Sequence, residues 1–119
     1  MKFRTAFVPN PASRFDADKL RDLAGELVYV CDTPMFDDMT GNEFIPRFEG
    51  RIRRAMKNYD PNKDLIAFFG DAMIFAMMIY YAAWEFDTPI KVARFSVKSN
   101  EYVIREISTD KIYNELANG

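Results

Sequence analysis

The sequence predicts a small three-layer α/β domain of flavodoxin- or Rossmann-like type, mostly parallel, with a C-terminal antiparallel β-hairpin at its edge. Three observations predict it. Short apolar runs of strand length alternate with segments whose apolar residues recur at helical spacing, the pattern of β-α-β units. The third run, Asp64–Phe69, is apolar at successive positions, as expected of a strand buried on both faces. The last two runs, Ile90–Val97 and Glu101–Ile107, are separated only by Lys98, Ser99 and Asn100, a hairpin-length connection. An α+β arrangement, with the second and third strands paired differently, is the competing architecture.

Taken in order, Phe3–Val8 reads as the first strand, stopped by Pro9-Asn10-Pro11. Asp16–Ala24 reads as a helix with Leu20, Leu23 and Ala24 on one face and Gly25 as its terminator. Leu27–Cys31 is the second strand, ended by Asp32-Thr33-Pro34, and residues 32–42 form an acidic loop. From Glu43 to Asn58, Phe44, Phe48, Ile52, Ala55 and Met56 recur at helical spacing, with arginines and lysine mostly elsewhere on the wheel. Tyr59-Asp60-Pro61-Asn62 breaks that helix. The third strand follows, then Gly70, then Asp71 as N-cap of a helix over Ala72–Glu85. After the hairpin, Thr109–Asn118 reads as a closing helix.

The 119 residues make one domain, 1–119, and 49 % hydrophobic content with eleven Phe is enough to fill a core. With no histidine and one cysteine, the sequence lacks Ser-His-Asp and Cys-His constellations, imidazole metal sites, multi-cysteine zinc sites and an intrachain disulfide. A formal charge of −2 gives no global attraction to nucleic acid or anionic membrane. The start MKFRTAFVPN lacks a signal-peptide apolar stretch, and the apolar run from Ala72 to Trp84 is shorter than the ~18–20 residues a bilayer requires. A cytoplasmic protein that uses no cofactor and no membrane is the expectation.

In open parallel sheets ligands bind beyond the carboxyl ends of the strands. Those ends present Asn10, then Asp32 and Thr33, then Gly70 and Asp71, which together form the candidate ligand site. Gly70 permits close backbone approach, and the following helix offers free N–H groups to an anion. Against this, Asp71 occupies the place of that anion, and neither a GxGxxG nor a Walker pattern is present. Asp32, Asp37 and Asp38 could hold Mg²⁺ for phosphoryl transfer, but Pro34 stands where phosphohydrolases with an aspartate nucleophile need a second Asp. Cys31 has no basic neighbour in sequence to lower its pKa and reads as a packing residue.

The helix Ala72–Glu85 has no solvent stripe: thirteen consecutive residues are apolar. Either its own chain covers it on all sides or one side is an interface. Met73, Met77, Tyr80, Tyr81 and Trp84 have the Met-rich, aromatic composition of adaptable contact surfaces. Arg47, Arg51 and Arg54, on the basic side of the preceding helix, are the accompanying candidates for an acidic protein partner, with a solvated helix face as the simpler reading and nucleic acid ranked last.

The pieces GELVYVCDTP, NYDPNKDLIAFFGD, the apolar helix and IKVARFSVKSNEYVIREI occur in an order that resembles a group of small phage-encoded α/β proteins of unassigned function, over residues 25–107. That resemblance implies an accessory protein in the host-cell cytoplasm that binds a host or viral macromolecule, and it brings no catalytic residues. Taken together, the expectations rank a non-enzymatic, oligomeric interaction protein first. A small-ligand or nucleotide-sequestering protein comes second and a Mg²⁺-dependent phosphohydrolase third.

Overall fold

The computed structural model describes residues 2–11, 17–31, 49–68 and 71–108. Five strands, β1 (Phe3–Val8), β2 (Ala24–Tyr29), β3 (Leu65–Phe68), β4 (Ile90–Ser96) and β5 (Glu101–Ile107), form one sheet in the order β2-β1-β3-β4-β5. The β1–β2, β1–β3 and β3–β4 pairs are parallel, and β4–β5 is antiparallel. The α/β class with its antiparallel edge is therefore the observed architecture, and the α+β alternative does not hold.

Helices cover both faces. On one, α1 (Ala17–Arg21) sets Leu20 into a cluster with Ala6, Val8, Leu65, Ala67 and Ala93. On the other, the helical turns over 49–55, here α2, and the helix Ala72–Glu85, here α3, pack onto Phe7, Ile66, Ile90 and Val92. β3 supplies Leu65 and Ala67 to the first cluster and Ile66 to the second, which is why its sequence has no polar alternation. α2 contributes Ile52 and α3 contributes Ile74, Met78 and Ala82, all buried. Full burial of a side chain the size of Ile74 or Met78 is worth about 1.5–3 kcal/mol.

The first helix and second strand depart from expectation. The helix ends at Arg21, and β2 begins at Ala24, three residues before the expected Leu27, so Gly25 lies within a strand and terminates no helix. The parallel register explains the shift: Phe3 aligns with Ala24, and its N–H donates to the Leu23 carbonyl at 2.9 Å, so the strand starts where β1 starts. At the other end, Val30 and Cys31 continue past β2 on hydrogen bonds to the Val8 and Pro9 carbonyls. β3 begins at Leu65, because the Asp64 N–H is committed to the Asp60 carbonyl at 2.9 Å, and Phe69 lies outside the described residues. The first hairpin arm stops at Ser96, leaving Val97 in the turn, where Asn100 takes the left-handed conformation at φ 58°. The expected helix over 109–118, the acidic loop 32–42 and residues 43–48 of the preceding helix also lie outside the described residues.

Two polar fixtures brace opposite ends of the sheet, one at the amino ends of β1 and β3 and one at the hairpin turn after β4. The Arg4 guanidinium donates to both oxygens of Asp64, Nε at 3.0 Å and Nη2 at 2.7 Å, and Nη2 also reaches the Asn58 carbonyl at 2.8 Å. The Asp60 N–H completes the Asp64 carboxylate at 2.8 Å. On the opposite face, Lys19 of α1 ties down the hairpin, donating to the Asn100 carbonyl at 2.9 Å while its ammonium lies 5.6 Å from the Phe95 ring centroid.

Candidate functional site

The strand order reverses direction between β1 and β3, so the carboxyl ends of those strands form the switch point at which α/β sheets place ligands. Asn10 and Asp71 meet there. Asn10 is buried, and its Oδ1 accepts the Asp71 N–H at 2.6 Å, joining the end of β1 to the start of α3. Asp71 Oδ1 in turn accepts from the Met73 and Ile74 N–H groups at 2.9 and 3.0 Å. The N-terminal donors that would greet a phosphate are thus engaged by the chain's own carboxylate. Asp32, Thr33 and Gly70, the other members of the expected ligand site, lie outside the described residues.

Cys31 is buried beside this point, and the Arg51 guanidinium lies 3.5 Å from its sulfur. The expectation that Cys31 has no basic neighbour is therefore corrected. The two residues are 20 apart in sequence, and the contact arises because α2 lies over the end of β2. It also means that Arg51 is not simply part of a solvated basic face. Arg54 is exposed, and Arg47 lies outside the described residues. Among the described residues no three His, Cys, Asp or Glu side chains come together as a metal site.

The second candidate surface is more extensive. On α3, Ile74, Met78 and Ala82 face the sheet, while Met73, Tyr80 and Trp84 are 58 %, 69 % and 77 % exposed. Those three positions, spaced seven and four apart, form one line along the outside of the helix. Beside it run Ala72, Ala76 and Ala83, also exposed. The Tyr80 and Trp84 rings stack at 6.3 Å between centroids and 14° between planes, making a flat aromatic platform. Between this line and α2 lies a groove of about 440 Å³, lined by Ile52 and Arg53 on one side and Met73, Met77, Tyr81 and Trp84 on the other. Arg53 Nη2 pairs with Glu49 Oε1 at 3.2 Å on its α2 side, and Glu85 lines it at the end of α3.

Of the interface candidates, Met73, Tyr80 and Trp84 are thus exposed together, with Met77 and Tyr81 half-buried along the groove. The sequence places Ile52 on the apolar face and Arg53 on the basic side of α2, but joins neither of them, nor Glu49, to the α3 surface, which follows only because α2 lies beside α3. Among the described residues, no helix is long and apolar enough to cross a membrane. Comparison with protein-family models, with curated proteins and with solved structures found no match for this chain.

Proposed function

We propose that this is a non-enzymatic interaction protein of the cytoplasm whose contact surface is the outer face of α3 with the adjoining groove. The observation that carries the reading is the exposure of Met73, Tyr80 and Trp84 on a helix face with no charged residue between Ala72 and Trp84. Surface helices of soluble domains present a polar stripe outward, and a contiguous apolar patch marks an interaction site. Met and aromatic side chains are also the types enriched in the cores of interfaces. The resemblance to small phage-encoded proteins favours a host or viral protein as a partner. The test is affinity capture from the natural host with wild type and Trp84→Lys in parallel. A protein retained by the wild type and lost from the variant supports the reading, and equal retention by both refutes it.

A second reading, a small-ligand or nucleotide-binding protein, rests on the switch point between β1 and β3 alone, because Asp71 already holds the Met73 and Ile74 N–H groups there. Ligand binding raises apparent stability. A panel of mono-, di- and cyclic nucleotides that leaves the melting temperature unchanged would eliminate it.

A further inference from the structure

Resting on the reading of α3 as a contact surface, we infer that its occupant is a helix of a partner protein, with apolar side chains toward the groove and a lysine or arginine at the Trp84 end. The form of the occupant follows from spacing. Met73, Met77, Tyr80 and Trp84 recur at intervals of four, three and four, the seam by which one helix meets another. α2 does not fill that seam, since Met73, Tyr80 and Trp84 remain mostly exposed beside it. The space between the two helices is therefore open to a third apolar helix face, the arrangement in which amphipathic helices bind grooves.

The charge of the occupant follows from that of the groove. Its described lining holds two carboxylates, Glu49 and Glu85, and one guanidinium, Arg53. Arg53 and Glu49 pair with each other at 3.2 Å, which leaves Glu85 with no ion-pair partner among the described residues. Glu85 stands in the last turn of α3, where no basic residue offsets the negative end of the helix dipole, and Asp87 follows two positions on. Beside it the stacked Tyr80 and Trp84 rings offer faces that attract cations. A carboxylate, a helix end and two aromatic faces thus converge on one place, where a partner's cation is drawn in and an acidic group is repelled. The basic residues of α2 do not cancel this. Arg51 turns to Cys31 Sγ at 3.5 Å and Arg54 folds back toward Gly50, and neither they nor Lys57 line the groove.

The probes are two tryptophan-free helical peptides with the same leucine face, each as long as the 14 residues of α3. One is flanked at both ends by lysine and the other by glutamate. Binding to the full chain at low salt is read from the emission of Trp84, the sole tryptophan. The lysine peptide is expected to shift that emission to the blue and to bind at least about tenfold more tightly than the glutamate peptide, a margin that narrows as salt rises. Glu85→Lys is expected to remove the margin. Tyr80→Ala, at an exposed position, is expected to weaken binding of the lysine peptide by at least about fivefold. Val97→Lys, which alters an 86 % exposed side chain in the hairpin turn, is expected to leave it unchanged. Equal binding of the two peptides, or a margin that survives Glu85→Lys, overturns the assignment of a basic partner. Binding of neither overturns the helical occupant, and if Trp84-dependent capture from the host persists, the contact surface stands without it. A Trp84 already shielded from acrylamide in the free protein, at the 13.8 kDa mass of one chain or at twice it, means that the chain itself or a second copy fills the face, and also overturns the inference.

Discussion

Tyr59 illustrates how a single hydroxyl can set the alkaline limit of the molecule. Its ring is wedged edge-on between Phe7 and Phe86, each 5.5 Å away between centroids. Its hydroxyl is buried and has no hydrogen-bond partner among the described residues. Burial pushes its pKa well above the usual tyrosine range, and the negative charges of Asp64 and Asp60 push it further. As pH rises past the unfolded-state value of about 10, the unfolded chain releases this proton first. Tyr59 therefore supports the folded state fully below about pH 10 and progressively less above it. Tyr59→Phe keeps both ring contacts and deletes an unsatisfied polar atom. It should be stabilising by about 1 kcal/mol at neutral pH and should flatten the alkaline decline, as read by urea melts from pH 7 to pH 11. Asp64 is the opposite case, a wholly buried carboxylate that accepts from Arg4 Nε, Arg4 Nη2 and the Asp60 N–H. Asp64→Ala strands those donors and should cost about 3 kcal/mol in the same melts, whereas loss of an exposed pair such as Arg21–Asp18 should cost under about 1 kcal/mol.

At the scale of elements, α3 is the one whose boundaries are closest to what local chemistry dictates. Asp71 is an N-cap by residue type and by geometry, and its carboxylate holds two N–H groups of the first turn. Asp71→Ala should destabilise the protein by about 1 kcal/mol. Asn10→Ala should cost about 1–3 kcal/mol, because it leaves the Asp71 N–H unpaired at the end of β1. The double variant should lose less than the sum, since both residues act on one junction, and a thermal-melt double-mutant cycle measures the difference. This contrast also shows what was legible in the sequence. Signals confined to a few neighbouring residues, such as the α3 cap, the span of β5 and the apolar run of β3, read correctly. The start of β2 did not, because Ala24-Gly25-Glu26 has the local look of a helix end and becomes strand only through its register against β1. The Arg51–Cys31 and Arg4–Asp64 contacts, 20 and 60 residues apart, depend on how whole elements pack and leave no local trace. The candidate site divides in the same way: the α3 line was visible as a helix without a polar stripe, but the α2 wall of its groove was not.

For the whole molecule, the strand order sets where structure should open first. β1 and β3 are each paired on both sides, and Ala6, Leu65, Ile66 and Ala67 are fully buried. Among the described residues β5 is paired on one side only, and exposed or half-buried side chains run along its length. Opening free energies scale with buried contacts and with the backbone bonds that must break, up to the global value in the core. Amide hydrogen exchange should therefore be slowest in β1 and β3, at the rate of global unfolding, and faster in β5 and in the five-residue α1. Protection of β5 equal to that of β3 would mean that the sheet continues past its fifth strand into another chain. That outcome would place self-association at the sheet edge, where strand N–H and C=O groups favour pairing.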